Sequence, residues 1–240
     1  MIDIQVHASG SSGNLYRISD GTTILMLECG LRFREIRQAF KFQLSGVDGC
    51  LLSHCHQDHS KSAKDLMKAG VPVYMSAGTA DQLSLTRHRA KIVKPLIKFD
   101  VGGFTVLPFP TEHDSAEPFG FLVKSKSGEK LLFITDSYYC KYRFANVNYF
   151  LIECNYSKDI LAVNVAAGLV SPSIESRIKR SHFELERVKA FFRANDLSRA
   201  RGIWLIHVSR GNGDPERFKS EIEAMTGVPV YVAEADGGVV

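Results

Sequence analysis

The chain has 240 residues, of which 45% are apolar and 23% charged, an ordinary globular usage that excludes disordered, collagen-like and coiled-coil architectures. That length suits a single layered domain over residues 1–240 and is short for two. Thirty Lys and Arg against 26 Asp and Glu leave a net charge of +4, which permits an anionic partner without specifying one.

The opening MIDIQVHASG has no basic stretch leading into a long apolar core, and no later apolar run approaches membrane-spanning length. The expectation is a soluble, cytoplasmic protein with no membrane partner. Short strands are expected at Ile2–His7, Asn14–Ser19 and Thr23–Glu28, because β-formers there are separated by the turn clusters SGSSGN and DGT. A helix over Leu31–Phe40 follows, with Phe33, Ile36 and Phe40 spaced for one face. The strand Gly49–Ser53 then runs into a polar, histidine-rich loop. Beyond it the pattern predicts a helix at Ser62–Ala69, a strand at Val73–Met75, a helix at Thr79–Thr86 and a strand-rich block from Ile92 to Thr135. The remainder alternates: strand Tyr149–Glu153, helix Phe183–Asn195, strand Gly202–His207, helix Pro215–Thr226 and strand Val230–Ala233. Leu161–Ser173 is apolar and Gly-containing, and reads equally as a lid, a subunit contact or a core helix. Strands first in meander and then alternating with helices predict an α/β (α+β) protein, a four-layer αββα sandwich of two sheets with helices on the outer faces.

The informative residue is histidine: the chain has eight, and three of them fall between positions 54 and 59. Ser53-His54-Cys55-His56-Gln57-Asp58-His59 contains H-x-H-x-D-H. In an extended loop, residues two apart point the same way, so His54 and His56 can converge on one ion. Asp58 and His59 begin the following helix and project elsewhere, which suits a second ion beside the first. Two ions need more ligands than one loop supplies. His113, Asp136 and His207 each follow an apolar strand, in FPTEHDS, LLFITDS and WLIHVSR. Alone, any of them reads as a loop or turn residue; their shared position beyond buried strands makes them candidate ligands. Five cysteines (Cys29, Cys50, Cys55, Cys140, Cys154) include no C-x-x-C pair and are read as buried or incidental thiols.

In order along the chain, these motifs resemble those of the metallo-β-lactamase fold superfamily of metallohydrolases, across nearly the whole sequence. The resemblance implies His54, His56 and His113 on one metal, Asp58, His59 and His207 on the other, and Asp136 bridging both. SHFELERVKAFF, ahead of WLIHVSR, is similar to the phosphodiesterase and nuclease branch, where a histidine before a helix assists the leaving group; His182 takes that place. ASGSSGN, the ECG of Glu28-Cys29-Gly30, FITDS, LIECNYSKDIL and HVSRGN together look most like the WalJ (YycJ) family of DNA-processing hydrolases. Two positions depart from the pattern. Glu28 stands where the first motif usually ends in Asp, a longer carboxylate still able to support the histidine ligands. Glu153-Cys154-Asn155-Tyr156-Ser157 stands where relatives tend to have ESNHD, which removes any histidine role there.

Imidazole and carboxylate together suit Zn²⁺ or Mn²⁺, two divalent ions per chain. Such a pair can generate a bridging hydroxide at neutral pH and neutralise a phosphoryl group during in-line attack. Asp58 could orient the water, and His182, uncommitted to metal, could protonate the departing alkoxide. The expected function is a dinuclear phosphodiesterase, foremost a nuclease on DNA ahead of RNA. The runner-up is a phosphodiesterase for small or cyclic nucleotides, and the other class is a metal- or nucleic-acid-binding module without catalysis. The turn Ser9–Asn14 is either a plain tight turn or a set of backbone N–H groups for a phosphate. Arg87–Lys98 reads as a solvated face, Arg177–Arg180 as solvated or phosphate-contacting, and His7 and His88 as surface or core filler.

Overall fold

A computed structural model describes residues 1–86, 88–235 and 237–238; Arg87, at the head of the basic run, lies outside them. One sheet runs β1 (Asp3–Ala8), β2 (Leu15–Ser19), β3 (Ile24–Leu27), β4 (Gly49–Leu51), β5 (Val73–Met75) and β6 (Ala90–Ile92), each strand bonded to the next. The other is formed by β7 (Phe99–Val101), β8 (Phe104–Pro110), β9 (Phe119–Ser125), β10 (Lys130–Ile134), β11 (Tyr149–Glu153), β12 (Gly202–Ile206) and β13 (Val230–Val232), again in unbroken order. Each sheet begins as an antiparallel meander and turns parallel: at β3 in the first, at β10 in the second.

Strand alternation sorts the side chains into layers. Leu131 and Phe133 of β10, and Tyr149 and Leu151 of β11, meet Leu25, Leu27 and Leu51 between the sheets. Their neighbours Leu132, Ile134, Phe150 and Ile152 face the other way. There they pack under α7 (Leu185–Arg193) and α8 (Pro215–Thr226), through Val188, Phe191, Phe192, Phe218 and Ile222. The outer face of the first sheet, with Met26, Cys50, Leu52 and Val73, is covered by α1 (Phe33–Ala39), α3 (Ala63–Lys68) and α4 (Ala77–Gln82). The expected αββα sandwich is thus present.

Several boundaries differ from expectation for local reasons. α4 starts earlier because Ser76 caps it, accepting from Thr79 N at 3.0 Å, and it ends before Ser84, whose φ of 52° is left-handed. The solvated reading of the run from His88 to Lys98 omitted β6, a short strand carrying Lys91 at the sheet edge, where a charge discourages further pairing. Leu161–Ser173 is not a core helix. It holds the end of α5 (Lys158–Ala166), a turn and the start of α6 (Pro172–Ser181), and Val163 and Leu169 are 67% and 76% exposed. Among the described residues no helix is long and apolar enough to cross a membrane.

Candidate metal centre

Every candidate ligand sits at the carboxyl end of a strand or in the segment that follows it, and all of these ends meet at one rim of the sandwich. His54 and His56 follow β4, with Asp58 and His59 in the one-turn helix α2 (Gln57–Ser60). His113 follows β8, Asp136 follows β10 and His207 follows β12. Phe119 N donates to Ser53 O at 2.9 Å, tying the histidine loop of one sheet to β9 of the other.

Three non-glycine residues that end strands adopt left-handed backbone: Glu28 (φ 63°), Asp136 (φ 40°) and His207 (φ 53°). Such conformations cost about 1–3 kcal/mol each and persist where surrounding structure holds them. Here they turn three polar side chains off the line of a buried strand and into the gap between the sheets.

Two clusters result. In the first, His54 Nε2 and His113 Nε2 each lie 3.1 Å from His56 Nδ1. Asp136 Oδ2 stands 3.9 Å from His54 Nε2 and 3.7 Å from His113 Nε2. In the second, His59 Nε2 and His207 Nε2 lie 3.5 and 3.4 Å from Asp58 Oδ2, and 3.3 and 3.7 Å from Asp136 Oδ1. Asp136 therefore turns a different oxygen to each cluster.

These spacings can be tested against a bound ion. Tetrahedral ligands about 2.0–2.1 Å from a zinc-sized ion stand about 3.3 Å from one another. The second ring nitrogens agree with ligation as well. His113 Nδ1 donates to the Ser181 carbonyl at 2.9 Å, and His59 Nδ1 to Glu28 Oε2 at 3.1 Å, so each ring, once neutral, turns the lone pair of Nε2 into its cluster. The residues present fit a divalent cation in each cluster.

The charges are balanced only in part. Burial lowers His54 well below the usual imidazole range, and the neighbouring His59 adds to this. Burial would also lower His59 and His207, but Asp136 and the carboxylates beside them outweigh it. They hold His59 well above its ordinary value and push His207 up to about 10. Burial would raise Asp136 and Asp58, yet the facing histidines hold both carboxyls low. Burial does raise Glu28, against its bonds to His59 and Ser53.

His182 ends α6. Its Nδ1 lies 2.6 Å from Glu153 Oε1, and its ring stacks on His207 with centroids 5.6 Å apart. Asp136, Glu153, His182 and His207 make a third group with metal-binding composition. Its carboxylate is already engaged, however: Glu153 Oε2 accepts the N–H groups of Ser137 at 2.9 Å and Phe183 at 3.1 Å. That arrangement orients an imidazole rather than leaving donors free for a further ion.

Sequence reasoning missed five supports. Glu153 stands in the sequence only as part of a motif. Asn155 donates to the His207 carbonyl at 2.8 Å. Ser9 Oγ accepts from His207 N at 2.8 Å and lies 2.8 Å from Tyr16 Oη, which donates to Asn14 Oδ1 at 3.0 Å. Asn14 in turn reaches Asp58 O at 3.1 Å and His59 Nε2 at 3.3 Å. A buried polar set facing a strand end is the physical signal, and only the ASGSSGN stretch hinted at it.

Beside His182 and His207 lies a cleft of about 960 Å³, walled by Ser9–Ser12, Ile174 and Ile178, with Arg210 as its single Lys or Arg among the described residues. The Ser9 turn thus sits at the site. The basic run of α6 is otherwise engaged: Arg177 pairs with Asp114 at 3.8 Å, Lys179 with Glu175 at 2.5 Å, and Arg180 donates to Ser176 O. His7 packs against Phe40 with the rings tilted at 48° and 5.4 Å between centroids.

Residues 23–208 match the family described as the beta-lactamase superfamily domain. The chain is 28% identical to an exodeoxyribonuclease YycJ of Bacillus anthracis, over 92% of this chain and 88% of that protein. It is 26% identical to an exodeoxyribonuclease WalJ of Streptococcus pneumoniae, over 97% and 88% respectively. Its fold is similar to that of YhfI of Bacillus subtilis, a metallo-β-lactamase fold protein, with a TM-score of 0.76, 18% identity and coverage of 100% of this chain and 98% of the other. The chain belongs to the beta-lactamase superfamily domain family, as a metal-dependent hydrolase of the metallo-β-lactamase fold.

Proposed function

We propose that the chain is a dinuclear phosphodiesterase that hydrolyses nucleic acid, DNA ahead of RNA, with two Zn²⁺ or Mn²⁺ ions per chain. The observation that carries this reading is Asp136, whose Oδ2 faces the cluster of His54, His56 and His113 while Oδ1 faces that of Asp58, His59 and His207. A carboxylate shared in this way suits two neighbouring ions. The exodeoxyribonuclease names of two relatives add the polymer and the deoxyribose.

When bound, two divalent ions supply a nucleophile at neutral pH and neutralise charge on a phosphoryl group. The chain's own groups do the rest. Asp58, with a side chain 23% exposed, can accept a hydrogen bond from the attacking water and fix its direction. His182 is the proton donor to the departing alkoxide. Burial would lower its pKa, but Glu153 raises it above the ordinary value, which favours the protonated ring that a proton donor needs. The cleft beside His207 has a volume of about 960 Å³, at the upper end of small-ligand pockets, and gives room for a strand segment rather than a single nucleotide. Arg210 supplies positive charge for its phosphates, with Glu234 as the carboxylate of the same lining.

The test is metal analysis of the purified protein, paired with a substrate panel. The panel contains bis(p-nitrophenyl) phosphate, single- and double-stranded DNA, RNA, cyclic mononucleotides and a chromogenic β-lactam. Two metals per chain and hydrolysis of DNA are expected. Fewer than one metal under replete conditions would sink the dinuclear centre, and a preference for cyclic mononucleotides would sink the polymer substrate.

A further inference from the structure

A second groove, of about 420 Å³, opens on the other side of Phe183, between α7 and the segment Tyr138–Arg143 that follows Asp136. Its floor is apolar, with Phe183 and Phe191 at 1% and 5% exposure. Its rim is aromatic and cationic together. Tyr138, Tyr139 and Tyr142 alternate with Lys141 and Arg143 along Tyr-Tyr-Cys-Lys-Tyr-Arg, and Arg187 faces them from α7. No Asp or Glu is among the residues that line it.

Two features make this more than a crease. Tyr139 is 51% exposed, so its ring is open to a ligand. The cations are already placed over the rings: the Arg187 guanidinium lies 5.6 Å from the Tyr138 ring centroid and Lys141 Nζ lies 5.5 Å from that of Tyr142. Flat aromatic faces interleaved with cations form a surface that stacks unpaired bases while pairing their phosphates.

The groove is also fixed to the centre. Arg187 donates to the Tyr138 carbonyl at 3.0 Å, Tyr138 N donates to Glu112 O at 3.1 Å beside His113, and Ser137 Oγ donates to Tyr139 O at 2.8 Å. Tyr138 lies two residues beyond Asp136, within about 7 Å along the chain. The rim therefore stands close to the metal site.

We propose that this groove is a subsite for an unpaired nucleotide of the substrate strand, its base stacked on Tyr139 and its phosphate drawn by Lys141, Arg143 and Arg187. The proposal rests on the nucleic-acid phosphodiesterase reading and narrows the substrate to strands with a single-stranded or frayed end. A closed duplex has no free base face to offer the rings.

The test is fluorescence anisotropy of metal-loaded protein with phosphorothioate oligonucleotides that resist cleavage: a blunt duplex, and the same duplex with two unpaired nucleotides at the 5′ or the 3′ end. Wild type should bind one overhang duplex about tenfold more tightly than the blunt one. Tyr139→Ala should abolish that preference and Tyr139→Phe keep it, while Arg34→Ala, on the far helix α1, leaves it as it was. Equal binding of all three duplexes by wild type, or an overhang preference that survives Tyr139→Ala, overturns the subsite. Hydrolysis of bis(p-nitrophenyl) phosphate and DNA by wild type, run alongside, separates the two readings. If neither is cleaved, the phosphodiesterase reading fails; if they are cleaved but overhangs bring no gain, only the subsite fails.

Discussion

His182, at the wall of the cleft, is paired with a buried partner: Nδ1 of the imidazole lies 2.6 Å from Oε1 of Glu153, a carboxylate that has no exposed surface. Burial would raise the Glu153 pKa, but the His182 charge holds it below its ordinary value, and the carboxylate in turn raises His182. Replacing His182 by Ala should lower turnover of DNA, whose leaving alkoxide needs a proton, by about 10²-fold or more with metal content intact. Lost metal instead would make His182 a ligand. Glu153→Gln removes the group that raises the pKa of a proton donor, so the alkaline limb of the pH–rate profile should move to lower pH. An unmoved limb would show that the proton comes from elsewhere.

Asp136 invites a direct count of ions. Asp136→Asn keeps one oxygen and the side-chain volume but cannot offer an anionic oxygen to both clusters. Elemental analysis should find fewer than two metals per chain, and activity should fall to background. A variant retaining both metals and full turnover would contradict a shared carboxylate.

Loading should be coupled to protons. In the metal-free protein, carboxylates outweigh burial and keep His59 and His207 protonated above the usual range, His207 up to about 10. A ligand needs a free lone pair on Nε2, so each ring must release a proton on binding. Apparent affinity should therefore rise with pH until the rings deprotonate by themselves, by about tenfold per pH unit for each proton released. Calorimetry in buffers of different ionisation enthalpy counts those protons. An affinity that does not change between pH 6 and 8 would exclude the coupling.

Much of this centre was legible because its ligands punctuate apolar strands. His113, Asp136 and His207 stand out as polar residues after Phe104–Phe109, Leu131–Ile134 and Ile203–Ile206, and the spacing of His54 to His59 survives whatever the surrounding fold. The supports were not legible because they join distant parts of the chain. Ser9 meets His207 across 198 positions and Asn14 meets His59 across 45. No local pattern marks such contacts; sheet order creates them. α6 had a readable start, Ser171 capping Ile174 N with Pro172 in its first turn. The apolar run Leu161–Val170 before it masks that boundary.

Glu28 is the departure from the family pattern with the plainest consequence. Its Oε2 takes His59 Nδ1 at 3.1 Å and its Oε1 takes Ser53 N at 3.0 Å, so one carboxylate steadies a residue from each cluster's loop. Glu28→Ala should weaken metal binding by about 10–100-fold, read by competition with a chromophoric chelator. Undiminished affinity would mean that packing alone holds His59 in place.

Gly30 bears on the same loop through space rather than through a bond. A Cβ built at this position would lie 1.6 Å from the Asp58 carbonyl oxygen and 2.8 Å from His59 N. Those are backbone atoms, which cannot rotate aside as a flexible side chain would. Cys29 N also donates to His59 O at 2.7 Å, and Asn14 N to Asp58 O at 2.8 Å, so moving the loop breaks hydrogen bonds as well as contacts. Gly30→Ala should destabilise the fold by about 1–3 kcal/mol. It should also displace Asp58 and His59, emptying their cluster before that of His54, His56 and His113. Denaturant melts together with metal stoichiometry check both parts. Wild-type stability with two metals bound would mean that the loop can shift without carrying its ligands with it.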